Sequence, residues 1–271
     1  MKIHFLGTAA AEGVPNVFCR CDTCLQSRKL GGKNVRTRAS VILDDTWKFD
    51  YSADSQMQAL RDDIDLGQIE HLLVTHTHYD HFQPQDLISR IEGFAHGIEH
   101  PLRIYGNDLV MFHSRQALGH FKNRFAFHRM KPFQPVPIGS ATVTPLLADH
   151  DPMETCLLYF VEKDGKTLLY GNDTGWFPDA TWEWLQGKKA DIAILDCTHG
   201  LTGNNRQSGH MSADTILDVQ SKFLQERILT ENDLIYVTHF THNAGLLHED
   251  WVRIFEPHGI GVAYDGLILQ V

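Results

Sequence analysis

No run in the 271-residue chain approaches the roughly 18–20 consecutive apolar residues that a membrane-spanning helix requires, so a helical membrane protein is excluded. A secretory leader is missing too. His4, Gly7 and Glu12 break up the first dozen residues, and Ile3–Leu6 reads as a strand, so the expected location is the cytoplasm. Basic residues are scarce beside acidic ones, 24 Lys and Arg against 34 Asp and Glu, for a formal charge of −10. That deficit argues against a nucleic-acid binder working through a basic surface. Cysteines number five, and three crowd into Cys19, Cys21 and Cys24. An odd, clustered set in a leaderless chain argues against a disulfide framework and for metal. Repeats, low-complexity tracts and Pro/Ser-rich linkers are also lacking, so residues 1–271 read as one domain. Charged residues at 21% and hydrophobic ones at 42% fit a globular chain rather than a disordered one. What the chain has in excess is histidine, 17 in all, and histidine is the commonest metal ligand.

Short apolar and β-branched runs recur along the chain and predict strands. They cover Ile3–Leu6, Ser40–Leu43, Trp47–Tyr51, His71–Thr75, Arg103–Tyr105, Ala141–Leu146, Leu157–Val161, Thr167–Tyr170, Asp191–Asp196 and Leu234–Thr238, with a last pair near Val262–Ala263 and Leu267–Gln270. Helices are expected over Pro84–Ile91, Asp179–Leu185, Ser212–Leu224 and His248–Phe255. Residues 92–135 lack strong periodicity and read as mixed helix and loop. Strands in two sets with helices between them predict a layered α/β architecture.

The chemistry concentrates in Thr75-His76-Thr77-His78-Tyr79-Asp80-His81, where the chain leaves the strand Leu72–Val74. In extended backbone, residues i and i+2 point the same way, so His76 and His78 can grip one cation. A turn after His78 lets Asp80 and His81 face a second. Imidazole and carboxylate together suit zinc, manganese or iron. Further candidates stand at other strand ends: His150 in Ala148-Asp149-His150, Asp173 in Asn172-Asp173-Thr174-Gly175, and His239 after Thr238. Asp173 has two oxygens and can bridge two ions. Cys19, Cys21 and Cys24 offer three thiolates, and a closed structural zinc site needs a fourth ligand. His242, three residues after His239, is the candidate.

The order H-x-H-x-D-H, then His, Asp and His, resembles the metallo-β-lactamase fold superfamily. The resemblance implies a four-layer αβ/βα sandwich over nearly the whole chain, with a dinuclear centre along one sheet edge. His76, His78 and His150 would hold one ion, Asp80, His81 and His239 the other, and Asp173 would bridge them. Paired cations can activate a water near neutral pH and clamp attacking and leaving oxygens. Asp80 at the second site is characteristic of superfamily members that cleave phosphodiesters or thioesters.

A narrower set adds Gly7-Thr8-x4-Gly13-Val14-Pro15, the cysteine cluster, Thr238-His239-x2-His242 and Tyr264-Asp265-Gly266. This resembles the PhnP proteins of phosphonate breakdown, which hydrolyse 5-phosphoribosyl 1,2-cyclic phosphate to the 1,5-bisphosphate. It implies a metal-dependent phosphodiesterase with two manganese or zinc ions in the active site, one structural zinc and a homodimer. The partner would be a small phosphorylated sugar, with no nucleic acid and no membrane. It also implies that His210, in Gly209-His210-Met211-Ser212, serves in catalysis by protonating the leaving oxygen, beside Asp80. Arg206 is a further candidate for a substrate phosphate, and His199 for a supporting role. The stretch 82–149 reads as an insertion that shapes the substrate mouth. Other readings are a tRNA 3′-processing nuclease, which would want a basic arm, a thioesterase, a PqqB-like oxygen-using enzyme and a non-catalytic metal-binding module.

Overall fold

Apolar alternation along short runs pairs the chain into two sheets. The computed structural model describes residues 1–121, 123–202 and 209–271. Among them, β1 (Lys2–Gly7), β2 (Ser40–Leu43), β3 (Trp47–Phe49), β4 (His71–Leu73), β5 (Leu102–Gly106) and β6 (Phe125–Arg129) belong to the first sheet. The second contains β7 (Val136–Ile138), β8 (Ala141–Leu147), β9 (Leu157–Lys163), β10 (Lys166–Gly171), β11 (Ile192–Asp196), β12 (Leu234–Thr238) and β13 (Ile260–Val262). The last strand, β14 (Ile268–Gln270), returns to the first sheet and pairs antiparallel with β1. The strand orders are β14-β1-β2-β3-β4-β5-β6 and β13-β12-β11-β10-β9-β8-β7.

The inner faces meet in one core. Phe5, Val41, Leu43, Phe49 and Leu73 of the first sheet pack with Val143, Tyr159, Val161, Leu168 and Ile194 of the second. Each outer face then needs a helical cover. On the first sheet, α3 (Asp108–Leu118) supplies Val110, Met111 and Leu118 against Leu72 and Ile104. On the second, α4 (Asp179–Leu185), α5 (Ala213–Glu226) and α6 (His248–Phe255) bring Trp182, Phe223 and Trp251 onto Leu169, Leu195 and Val237. In α5, Ile216, Val219 and Phe223 fall on one face, and the Ser212 hydroxyl caps the helix by accepting from the Thr215 amide. The result is the αβ/βα sandwich. No described helix is long and apolar enough to cross a membrane.

Several expectations change. The turn Pro84–Arg90 is a 3₁₀ helix rather than an α-helix. Residues 92–135 are more regular than their weak periodicity implied, because β5 and β6 extend the first sheet in parallel with α3 between them. The stretch 82–149 completes one sheet and begins the other. The β6 strand escaped notice because it lies at the sheet's end and finishes in exposed His128 and Arg129. Helices α1 (Asp22–Leu30) and α2 (Ser55–Arg61) were also missed, since α1 is mostly polar and α2 is only seven residues long.

One buried histidine makes stability depend on pH. His248 Nδ1 accepts from the Arg36 guanidinium at 3.0 Å, and a guanidinium can only donate, so this imidazole is held neutral. Burial, with the charges of Arg36 and Lys33, pushes its pKa down to about 4. Unfolded, the same group binds a proton near pH 6.5. The unfolded chain therefore holds more protons in that window, and stability falls as pH drops from about 6.5 towards 4. His248→Gln is expected to lose less Tm than the parent between about pH 7 and about pH 5, measured by thermal denaturation; an equal loss in both would remove His248 from the account.

Candidate metal centre

The strand ends converge at one edge of the sandwich. His76 and His78 follow β4, Asp173 follows β10 and His239 follows β12, while His150 lies in the segment after β8. Asp173 and His239 hold left-handed backbone conformations, φ 60° and 62°, as does Asp50 after β3, φ 59°. Non-glycine residues rarely adopt this region, and when they do the surrounding structure over-determines them. Here the turn aims each side chain inward.

Two ligand groups share one carboxylate. His76, His78, His150 and Asp173 present ligand atoms within 4.8 Å of one another, and so do Asp80, His81, Asp173 and His239. The hydrogen bonds of each ring show which nitrogen faces in. His150 Nδ1 donates to the Gly209 carbonyl at 3.0 Å, which leaves a lone pair on Nε2. His78 Nε2 meets Asp151 Oδ2 at 3.1 Å, which leaves the lone pair on Nδ1. The Thr75 hydroxyl gives its proton to Asp50 and so accepts from His76 Nδ1 at 3.0 Å. Three lone pairs thus converge, His78 Nδ1 lying 2.8 Å from His76 Nε2 and 3.0 Å from His150 Nε2. Such an arrangement repels itself unless a cation sits among the nitrogens, so this donor set fits a divalent ion.

The second group is richer in carboxylate. His81 Nε2 lies 2.9 Å from Asp173 and 3.1 Å from Asp80, with His239 Nε2 3.3 Å away. Burial alone would lower the pKa of His81, but Asp80 and Asp50 outweigh it and hold it well above the ordinary value. His239 is raised in the same way, against its burial, chiefly by Asp173. Burial would raise Asp80, yet His81 and His239 keep it far below the usual carboxylate range. In the first group the balance reverses, and burial with the neighbouring imidazole His81 holds His76 well below its ordinary pKa. The carboxylate side draws positive charge, and a divalent ion answers that demand.

His210 sits beside both groups. Its Nδ1 lies 2.8 Å from Asp196 Oδ2 and 3.1 Å from Asp173 Oδ1. Burial lowers its pKa, but these two carboxylates more than offset that and push it up to about 11. His199 packs edge-on against the His210 ring at 5.3 Å between centroids and joins neither ligand group among the described residues. Arg206 lies outside the described residues. His96, His100, His113, His120 and His128 join no metal-ligand group among the described residues.

The second site also assembles. Cys19, Cys21, Cys24 and His242 bring their ligand atoms within 4.8 Å, with His242 Nδ1 3.5 Å from Cys21 Sγ and 3.8 Å from Cys19 Sγ. Cys21 is the N-cap of α1, and His242 opens the 3₁₀ turn His242–Ala244. The Cys24 amide and neighbouring thiols draw the Cys21 pKa down to about 6, while burial raises Cys24 to about 12. Three sulfurs and one imidazole nitrogen are the donor set of a closed zinc site.

Sequence reasoning missed the groups that orient the ligands. Asp50 accepts from His81 Nδ1 at 2.8 Å and from the Thr75 amide at 2.8 Å. Thr198 meets His239 Nδ1 at 2.8 Å, and Asp196 holds both Thr198 and His210. Glu154 takes the Thr77 amide and hydroxyl at 2.8 and 2.7 Å, fixing the backbone between His76 and His78. A signal existed for Asp50 and Asp196, since each is a carboxylate at a strand end.

A family model described as a β-lactamase superfamily domain matches residues 42–230. An octanoyltransferase of Porphyromonas gingivalis is 26% identical over 98% of this chain, which spans about half (51%) of that protein's length. Among solved structures, a diphosphatase from the PhnP family is 25% identical with a TM-score of 0.77, covering 100% of this chain and 97% of its own. Zinc-bound PqqB from Methylobacterium extorquens superposes with a TM-score of 0.76 at 20% identity, over 100% of both chains.

Proposed function

Because the chain belongs to the β-lactamase superfamily, we propose that it is a metal-dependent hydrolase that cleaves the phosphodiester of a small phosphorylated sugar. The first candidate is 5-phosphoribosyl 1,2-cyclic phosphate, opened to ribose 1,5-bisphosphate in phosphonate breakdown. The observation that carries the reading is the pair of ligand groups sharing Asp173, with His210 seated against them. The likeness to a PhnP-family diphosphatase supports a phosphorus substrate. The acidic balance of the chain favours a small ester over a long RNA.

In this reading His76, His78 and His150 would hold one ion and Asp80, His81 and His239 the other, with Asp173 available to both groups. Cys19, Cys21, Cys24 and His242 would hold a structural zinc, tying the loop after β12 to the start of α1. Manganese or zinc bound there would supply Lewis-acid stabilisation of charge on the phosphoryl oxygens and a water of lowered pKa. The chain's own residues do the rest. Asp50, Thr198 and the Gly209 carbonyl lock the rings of His81, His239 and His150, so the ligand nitrogens need no reorganisation when substrate arrives. With Nδ1 bound to Asp196, His210 stays protonated and passes a proton from Nε2 to the departing sugar oxygen.

The test is steady-state hydrolysis by manganese- and zinc-loaded protein, with bis(p-nitrophenyl) phosphate, a dinucleoside diphosphate and a glutathione thioester run in parallel. A kcat/KM of roughly 10⁴ M⁻¹s⁻¹ or more on the cyclic phosphate, abolished by Asp80→Ala, is expected. Turnover confined to the diphosphate or the thioester would overturn the cyclic phosphate as substrate.

A further inference from the structure

A cavity of about 610 Å³ opens on the outer face of the first sheet and shares no residue with either metal-ligand site. Its apolar wall is Leu72, Leu87 and Leu102, and its charged side is Lys48 and Arg90. Cavities of roughly 300–1,000 Å³ are the usual size for small-molecule sites.

Lys48 is the unusual group. It lies at the centre of β3, where Trp47 and Phe49 point into the core between the sheets, so alternation turns Lys48 to the other face. There it is only 1% exposed. Its ammonium donates to the Ser40 hydroxyl, which passes its own proton to the Phe49 carbonyl at 2.8 Å. Asp50 acts on it only at longer range, and burial draws its pKa down to about 7. Burying an ammonium without a paired anion favours its neutral form, so an anion brought to this edge of the cavity would be stabilised by restoring the charge.

The walls are built rather than incidental. Arg90 ties them together, donating to the carbonyls of Leu66 and Gly67 at 3.3 and 3.4 Å on one side and of His100 at 3.3 Å on the other. Its buried Nε has no partner among the described residues. The acidic side chain on the wall, Asp65, is committed to the Gly67 amide and Gln68, and Glu99 stands exposed at the rim.

We propose that this cavity binds a small organic anion, its carboxylate or phosphate head on the side of Lys48 and Arg90 and its apolar body lying on Leu72, Leu87 and Leu102. A cation of the same size would meet the like charge of the same two side chains.

The test uses metal-loaded protein and a diazirine-bearing hexanoate, photolysed and mapped by peptide mass spectrometry. Label is expected on the peptides spanning 65–72 and 87–102. Hexanoate and hexyl phosphate should compete it away, each arm reporting one head group, and hexyltrimethylammonium should not. Lys48→Met removes the charge, and Ala95→Trp fills the cavity from its half-buried rim without touching Lys48. Each should cut that labelling by about tenfold or more, while any label near the metal ligands persists. The proposal falls if those peptides stay unlabelled in the parent, if the cation competes equally, or if labelling is unchanged in the folded variants.

Discussion

Asp173→Ala should cost the protein both its activity and its ability to hold a pair of ions. Asp173 is the one side chain common to the two ligand groups, and it is nearly fully buried. Removing it strips a donor from each group and leaves the imidazoles facing one another without their anionic counterweight. A fall in kcat/KM on the order of 10⁴-fold is expected, with ions per chain dropping by at least about one. Elemental analysis of the dialysed protein checks the second figure. The cysteine site serves as an internal reference, because Cys19, Cys21, Cys24 and His242 share no atom with Asp173. Its zinc should remain at parent level. Retention of all ions with unimpaired turnover would show that the two groups do not work as a unit.

His210→Ala should separate substrates by their leaving groups. A sugar alkoxide leaves poorly without a proton, whereas a p-nitrophenolate leaves unaided. If His210 donates that proton, kcat on the cyclic sugar phosphate falls by roughly 10²–10⁴-fold, the usual worth of a positioned acid. The loss on bis(p-nitrophenyl) phosphate should stay within about tenfold. Asp196→Asn should show the same pattern in weaker form, since the Asp196 carboxylate both aims the ring and raises its pKa. Equal losses on both esters would reassign His210 from proton donor to a mere support for Asp173.

Much of the site was legible because its residues obey a local rule. Four potential ligands in six residues at the end of an apolar strand leave few other uses, and His150, Asp173 and His239 repeat the strand-end position. The sandwich followed from strand runs in two sets. The supporting carboxylates were harder to read, since an isolated Asp50 or Asp196 after a strand looks like any turn residue until the fold sets it against His81 or His210. The cavity beside Lys48 is a tertiary product of two loops, 65–69 and 95–100, closing over a strand centre. Nothing in the pattern Trp47-Lys48-Phe49 distinguishes it from a strand with a solvated lysine.

The left-handed turns at Asp50, Asp173 and His239 carry a consequence for anyone improving this protein. Each costs an L-residue about 1–2 kcal/mol that glycine would escape. Glycine would relieve that strain, but it abandons buried partners, Thr75 and His81 at Asp50, His81 at Asp173 and Thr198 at His239. Their loss costs more than glycine returns, so a screen for heat resistance alone is expected to keep the side chains. At these three of the nine described non-glycine residues with positive φ, local backbone comfort is given up for a side chain that serves the candidate metal centre.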